Sequence, residues 1–330
     1  MKRKIALFVL SIPLIVIVGF IGLVIAVNAQ EFQTPQELAD PDGQFADVNG
    51  VSVYYRAQGD PTNPPVILIH GFGGSTFTWR DTLPALAEAG FYAVALDLPP
   101  FGLSDKSPDI DYSRSGMADI VAGFMDTLGI PRADIVGHSM GGAVTAQFAV
   151  RHPDKVNRLV FVAGGVFEAM RPAEGQQQET SGASSALSLL NSIDPRSPLA
   201  PSLLRVLVTE QFFINTIRSA YADPDMVTPE VAAGYARILK IQDAPVGFLA
   251  YLQAQEASPI TLADLAAATQ DVEVLLMWGD QDTWVSPRLA DSMEAALANV
   301  QRVDFAGIGH LPMEETVEPF NAALIAFLSS

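Results

Sequence analysis

Short apolar runs without polar alternation recur along the chain from residue 65 onward, and most are followed by a turn and a helix-like stretch. Strands without alternation are buried on both faces, as in a parallel sheet covered by helices. The predicted strands are Val66–Ile69, Phe91–Leu96, Ala133–Val136, Leu159–Val162, Val272–Trp278 and Gln301–Phe305. The predicted helices are Trp79–Ala89, Ser113–Leu128, Gly142–Val150, Arg288–Leu297 and Val317–Leu328.

Two further segments flank this series. Phe45–Val48 and Val51–Tyr55 are separated by Asn49-Gly50, a strong signal for a two-residue β-hairpin turn. Between about Gly164 and Asp271 the strand–helix rhythm stops, and the sequence favours short helices such as Leu203–Ser219 and Glu230–Lys240. We therefore predict an α/β core over 45–166 and 270–330, interrupted by a helical cap over 167–269 that covers the carboxyl edge of the sheet.

The N-terminus has a different pattern. Lys2-Arg3-Lys4 precedes an uncharged stretch from Ile5 to Val27, which as a helix would span about 35 Å, enough to cross a bilayer. Residues 1–27 therefore predict a transmembrane helix that anchors the protein in the membrane. Two alternatives are a signal peptide cleaved near Val27-Asn28-Ala29, which would release a secreted protein, and a buried core helix. The basic residues favour a catalytic domain on the exported side, and the polar residues 28–44 a tether between anchor and domain.

Composition and charge exclude several classes of function. The chain has no cysteine, which excludes a thiol nucleophile and a disulfide framework. Its net charge is −18, and an acidic surface of that kind repels nucleic acid. We find no metal cluster, dinucleotide fingerprint or phosphate loop, so the sequence predicts no cofactor and no nucleic-acid partner.

Gly137–Gly141, with the sequence G-H-S-M-G, lies where a predicted strand meets a predicted helix. Glycines two residues before and two after a serine at such a junction describe a nucleophile elbow, a turn too sharp for side chains at either glycine. The elbow places the hydroxyl of Ser139 at the positive end of a helix. Ser139 is therefore the candidate nucleophile.

A serine nucleophile needs a base, and the base needs an orienting acid. Of the four histidines, His310 follows the last predicted strand in a glycine-rich loop and is the candidate base, whereas His152 is an ordinary surface residue. Asp280 and Asp282 both follow the strand ending at Trp278. Asp282 lies deeper in the loop and is the candidate acid, and Asp280 is more suited to bonding turn amides. The order serine, aspartate, histidine is the one that this elbow architecture requires.

Acyl transfer also needs donors at the developing negative charge. The loop His70–Gly74 follows the strand Val66–Ile69, where the backbone N–H of Phe72 can point toward the serine, and the N–H of Met140 supplies a second donor. His70 and Gly71 in this loop are candidates for the substrate pocket. A further set of aromatic residues could line a pocket under the cap, although helical aromatics are often core packing; these candidates are Phe212, Phe213, Phe248 and Tyr251.

Together these motifs resemble the capped branch of the α/β-hydrolase superfamily, which includes esterases, C–C bond hydrolases, epoxide hydrolases and haloalkane dehalogenases. The resemblance runs from about Val51 to the C-terminus. It implies a mostly parallel central sheet with helices on both faces, a Ser139–Asp282–His310 triad, and an oxyanion hole at Phe72 and Met140. One departure is Pro100, which replaces the first glycine of the D-x-P-G-x-G pattern.

The serine at position 139 helps to distinguish between the reactions found in this superfamily. Epoxide hydrolases and dehalogenases of this superfamily use aspartate there, whereas serine suits attack on a substrate carbonyl. The expected activity is hydrolysis of a small-molecule carboxylic ester or related acyl substrate. Cleavage of a C–C bond, perhydrolysis, and amide or lactone cleavage use the same residues and remain alternatives. A binding protein on this scaffold without turnover is the non-enzymatic alternative.

Overall fold

The computed structural model of the protein describes residues 22–24, 26–29, 31–167 and 193–330. Its centre is an eight-stranded sheet. The strands are β1 (Gly43–Val48), β2 (Val51–Gln58), β3 (Pro65–Ile69), β4 (Tyr92–Leu96), β5 (Ala133–His138), β6 (Val156–Val162), β7 (Val274–Gly279) and β8 (Val300–Phe305). They are arranged in the order β1-β2-β4-β3-β5-β6-β7-β8.

Strands β3 to β8 are mutually parallel, and antiparallel pairing is confined to β1 with β2 and β2 with β4. The mostly parallel sheet predicted from the apolar runs is confirmed. The hairpin at Asn49-Gly50 is also confirmed: both residues have positive φ, 53° and 87°, as a type I′ turn requires.

Helices cover both faces of the sheet, because successive strand residues point to opposite sides. Ile67 and Ile69 face one apolar cluster, while Val66 and Leu68 face the other. The first cluster includes side chains of α3 (Arg114–Thr127), α4 (Met140–Arg151) and α10 (Arg288–Ala296). The second includes side chains of α2 (Thr82–Glu88), α11 (Pro312–Glu315) and α12 (Val317–Leu328).

Between β6 and β7 the described residues form short helices joined by turns and loops. This region contains α5 (Ala200–Leu207), α6 (Glu210–Arg218), α7 (Pro229–Ala236), α8 (Ala244–Gln253) and α9 (Leu262–Ala268), with 3₁₀ turns at Pro224–Met226 and Arg237–Lys240. The predicted helix Leu203–Ser219 is therefore two helices. We call residues 193–269 the cap; its predicted start at 167 stays a prediction, because residues 168–192 lie outside the described residues.

The structure does not support the N-terminal transmembrane helix. Across the described ranges, every helix is too short or too polar to cross a bilayer. This finding corrects the fold and partner predicted from residues 1–27. Residues 1–21 and 25, which make up most of the proposed span, lie outside the described residues.

Residues 31–42 are part of the segment 28–44 predicted as a tether. They lie against the domain and include the one-turn helix α1 (Pro35–Leu38). The N–H of Gln33 donates to the carbonyl of Lys240 at 3.0 Å, and the guanidinium of Arg205 lies 4.3 Å from the ring centre of Phe32. Asp40 accepts from Tyr54 at 2.7 Å and from Arg237 at 2.9 Å. These contacts bind the segment to β2 and to the cap, so it is not a free tether.

Two buried side chains join the turns that follow β3 and β4. Asp97 accepts backbone N–H groups from Thr76 and Leu103, both at 2.6 Å. The Nε2 of His70 accepts the N–H of Leu98 at 2.9 Å, and its Nδ1 lies 2.7 Å from the carbonyl of Gly71. His70 is therefore a neutral ring with Nδ1–H as donor, and protonating Nε2 would break the bond to Leu98.

Burial lowers the pKa of His70 to about 4. Because its ordinary value is about 6.5, the unfolded chain takes up a proton between these values that the folded chain does not. The contribution of His70 to stability is thus present above about pH 6.5 and is lost as pH falls toward 4, by up to about 3 kcal/mol. In His70→Gln, whose amide oxygen can accept from Leu98 without titrating, we expect a shallower fall in the free energy of unfolding, measured by urea titration at pH 7.0, 5.5 and 4.5. Parallel pH dependences in the two proteins would contradict this assignment.

Candidate active site

Ser139 occupies a strained turn between β5 and α4. Its φ and ψ are 53° and −117°, outside the region that a side chain ordinarily prefers. A Cβ on Gly137 would overlap the side chain of Thr145, and one on Gly141 would overlap the carbonyl oxygens at the end of β3. The close packing predicted for both glycines is confirmed, and it holds the serine at the carboxyl edge of the sheet.

Asp282 and His310 come together at the same edge from separate loops. The Nδ1 of His310 lies 2.8 Å from Oδ2 of Asp282, and both side chains are almost completely buried. The other oxygen of Asp282 accepts the N–H groups of Trp284 at 2.8 Å and Val285 at 2.9 Å. These bonds fix the carboxylate, which in turn fixes the orientation of the imidazole.

Asp280, the alternative acid, has a different role. Its Oδ1 accepts the N–H of Gly307 at 2.7 Å, and the N–H of Gln281 donates to the carbonyl of Ile308 at 2.9 Å. Asp280 therefore joins the loop after β7 to the loop after β8, as the turn-bonding interpretation expects. Of the two aspartates, Asp282 is the one bonded to His310.

Two aromatic rings flank the imidazole of His310. His138, next to Ser139 in sequence, has its ring centre 4.8 Å from that of His310, and its Nε2 lies 2.9 Å from the His310 carbonyl oxygen. Burial lowers the pKa of His138 well below its usual range, so the ring is neutral and Nε2–H is the donor. Trp284 stacks on His310 with a ring separation of 5.4 Å. His138, the residue beside the serine, therefore directly contacts the loop that carries His310.

The loop after β3 approaches Ser139 closely. A Cβ on Gly71 would lie 2.9 Å from the Cβ of Ser139 and 2.7 Å from Nδ1 of His138. The backbone of Gly71 therefore packs against the serine, and Phe72 follows it directly. Among the described residues, the N–H groups of Phe72 and Met140 donate to no hydrogen-bond acceptor.

An aromatic cluster from the core and the cap surrounds this loop. The ring of Phe72 is 5.7 Å from Phe101, 5.8 Å from Phe248 and 5.8 Å from Tyr251. The hydroxyl of Tyr251 donates to the sulfur of Met140 at 3.3 Å, and burial raises the pKa of that hydroxyl. Helix α8 therefore contacts both residues whose N–H groups are the candidate oxyanion donors.

The remaining pocket candidates differ in their surroundings. Phe213 faces the loop after β3, since its ring would lie 3.8 Å from a Cβ on Gly73. Phe212 is 58% exposed and belongs to the outer surface of α6. His70 is fully buried with both ring nitrogens bonded to backbone, which corrects its place among the pocket candidates.

Several contacts of the site were not predicted. Trp284 and Glu315 both contact the histidine loop, and Phe101 belongs to the aromatic cluster. The only sequence signal for Glu315 is a pair of adjacent carboxylates, Glu314 and Glu315, four and five residues after His310. Within the described part of the chain, His, Asp and Glu side chains nowhere gather in a set of three that could hold a metal ion.

The chain is similar over most of its length to several known proteins. The uncharacterized hydrolase YugF of Bacillus subtilis is 24% identical over 293 residues, which cover 88% of this chain and 99% of that protein. The 2-hydroxy-6-oxononadienedioate/2-hydroxy-6-oxononatrienedioate hydrolase of Burkholderia vietnamiensis is 28% identical over 284 residues, covering 84% of this chain and 90% of that protein. The crystal structure of a bacterial membrane phospholipase A has a TM-score of 0.68 at 23% identity, covering 100% of this chain and 98% of its own, which concerns the fold alone.

The family comparison covers most of the core and the whole cap. Residues 64–317 match the family model of the alpha/beta hydrolase fold, well over half of the chain. That range contains Ser139, Asp282 and His310 together with the strands and loops that hold them. The protein therefore belongs to the alpha/beta hydrolase fold family.

Proposed function

We propose that this protein is a serine hydrolase that cleaves carboxylic esters through an acyl-enzyme. The observation that carries the proposal is the 2.8 Å bond between Asp282 and His310 at the sheet edge where the strained Ser139 is located. An imidazole fixed by a carboxylate beside an elbow serine is the arrangement that activates a hydroxyl for nucleophilic attack.

In the proposed mechanism the two nitrogens of His310 have different roles. Because Nδ1–H donates to Asp282, Nε2 is left with its lone pair and takes the proton of Ser139 as the hydroxyl attacks. The imidazolium that forms is stabilised by the Asp282 carboxylate. The N–H groups of Trp284 and Val285 hold that carboxylate in place during the transfer.

The attacked carbonyl becomes an oxyanion, and the N–H groups of Phe72 and Met140 are its proposed donors. Their lack of acceptors among the described residues supports this role. Collapse of the tetrahedral intermediate breaks the ester C–O bond, and His310 gives its proton to the leaving alcohol. Water, deprotonated by His310, then attacks the acyl group on Ser139, releasing the acid and restoring the serine hydroxyl.

A second candidate is hydrolytic cleavage of a C–C bond next to a carbonyl. It is favoured by the similarity to the Burkholderia vietnamiensis hydrolase, which covers 84% of the chain at 28% identity. The same nucleophile, base and oxyanion donors serve both reactions, so the two candidates differ in the leaving group. An apolar surface formed by Phe72, Phe248 and Tyr251 suits an uncharged acyl group, and this favours the ester.

The nucleophile is tested first. Purified protein should react covalently with a fluorophosphonate probe at Ser139, and Ser139→Ala should lose both labelling and about 10⁶-fold in kcat on aryl esters. Ser292→Ala is the matched control and should label as the wild type does, since the hydroxyl of Ser292 donates to the Arg288 carbonyl of its own helix, α10. Labelling that persists in Ser139→Ala would refute the assignment, and a wild-type protein that never labels would favour the non-enzymatic alternative.

The role of Asp282 as the acid is tested by replacing one of its carboxylate oxygens with an NH₂ group. In Asp282→Asn the amide oxygen can keep the N–H bonds of Trp284 and Val285, while its NH₂ donates to Nδ1 of His310. The ring is then held in the wrong tautomer, with Nε2–H unable to accept a proton, and kcat should fall about 10⁴-fold. Asp280→Asn, which can still accept from Gly307, should stay within about threefold of wild type under the same assay. A similar loss in both variants would show that the effect is structural.

The substrate class is tested by competing substrates. We expect kcat/KM on aryl and alkyl esters of short uncharged acids to exceed that on a 2-hydroxy-6-oxo dienoate by about 100-fold or more, equal to roughly 3 kcal/mol of transition-state stabilisation. The assay compares initial rates by spectrophotometry with one enzyme preparation. Faster turnover of the dienoate would replace the ester proposal with the second candidate.

A further inference from the structure

The loop that carries His310 is packed against a backbone segment of the cap. This segment, residues 219–222, joins α6 to the 3₁₀ turn at Pro224–Met226. The N–H of His310 donates to the carbonyl of Ala220 at 2.8 Å. A Cβ on Gly309 would lie 2.8 Å from that same oxygen and 2.5 Å from the nitrogen of Ala222. Only a glycine allows the cap backbone to approach the histidine so closely.

One buried carboxylate closes this junction. The Oε2 atom of Glu315 accepts the N–H of Gly309 at 3.0 Å and that of Ala222 at 2.8 Å. Its Oε1 accepts the N–H of Leu311 at 3.1 Å. Glu315 thus binds the residues on both sides of His310 and the cap segment at once.

The preceding residue makes a separate connection. Glu314 is buried and accepts from the hydroxyls of Tyr221 at 2.6 Å and Tyr235, and it pairs with Arg80 at 2.6 Å. Burial raises the pKa of Glu314, while the Arg80 guanidinium opposes that rise. These contacts bind cap side chains to the core, whereas those of Glu315 reach the histidine loop itself.

The ring, the carbonyl and the N–H of His310 are therefore all fixed by contacts, and so are the amides of its two neighbours. Asp282 fixes the ring, His138 bonds the carbonyl, Ala220 accepts the N–H, and Glu315 holds both neighbouring amides. Trp284 adds a cap contact, since its Nε1 donates to the hydroxyl of Ser219 at 3.2 Å while its ring stacks on His310.

We propose that Glu315 is a positioning residue that makes the location of the catalytic base depend on cap segment 219–222. The inference rests on the proposed function, in which Nε2 of His310 exchanges protons with Ser139. A shift of the cap segment moves the histidine backbone with it. Glu315 bonds to both the segment and the histidine loop, and the Ala220 carbonyl in the segment accepts the N–H of His310. A displacement of the base by about 1 Å costs up to about 100-fold in rate.

The test uses three variants. In Glu315→Gln one carboxylate oxygen becomes an NH₂ group that cannot accept, so at least one of the three amide bonds is lost; in Glu315→Ala all three are lost. We expect kcat to fall about tenfold in the first and about 100-fold in the second, with KM changed less than twofold. KM is spared because Glu315 contacts the histidine loop and segment 219–222, not the aromatic cluster. Glu318→Gln, an exposed carboxylate on α12, is the matched control and should keep wild-type kcat.

A readout independent of substrate accompanies the kinetics. The Nδ1–H of His310 bonded to Asp282 should give a downfield proton resonance, which Glu315→Gln should shift or broaden and Glu318→Gln should leave in place.

A Glu315→Gln protein with wild-type kcat and resonance but a lower melting temperature overturns the inference, as does a rise in KM with kcat unchanged. If Glu315→Ala does not fold, Glu315→Gln decides. If the wild type neither labels with fluorophosphonate nor turns over esters, the proposed function fails, and the resonance alone decides the role of Glu315.

Discussion

The turn between β5 and α4 is the constraint on which the rest of the site depends. Ser139 adopts a positive φ of 53° because β5, α4 and the end of β3 meet there without room for side chains at Gly137 or Gly141. A strained residue persists only where its surroundings fix it from several sides, and the parallel strands β3 and β6 provide that here. The serine thus directly follows a central strand that has a parallel neighbour on each side.

The other site residues are on loops, and carboxylates hold those loops. A loop amide has no ladder or helix partner, and a carboxylate offers two oxygens that can each accept more than one bond. The same device recurs along the carboxyl edge of the sheet. The carboxylates and the amides they accept are Asp97 with Thr76 and Leu103, Asp280 with Gly307, Asp282 with Trp284 and Val285, and Glu315 with Gly309, Leu311 and Ala222. In a chain with net charge −18, part of the acidic excess is therefore internal and structural.

The cap reaches the site at two separate places. Helix α8 brings Phe248 and Tyr251 onto Phe72 and Met140, and segment 219–222 lies on the histidine loop. The first contact adjoins the candidate oxyanion donors and the second adjoins the candidate base. The cap therefore packs against both the candidate oxyanion donors and the candidate base. Its position can consequently affect the rate of the chemical step as well as the fit of the substrate.

The sequence by itself determined the separate strands of the core, the hairpin at Asn49-Gly50 and the elbow at Ser139, because each depends on residues close together in the chain. It also favoured Asp282 over Asp280, from depth in a single loop. Hydropathy alone, a measure of transfer free energy, predicted a membrane-spanning helix that the structure does not support. Only the tertiary structure decided the structural role of His70 and the junction at Glu315. Their partners, Leu98 and Ala222, are 28 and 93 residues away, and no local pattern encodes contacts that exist only after the chain has folded.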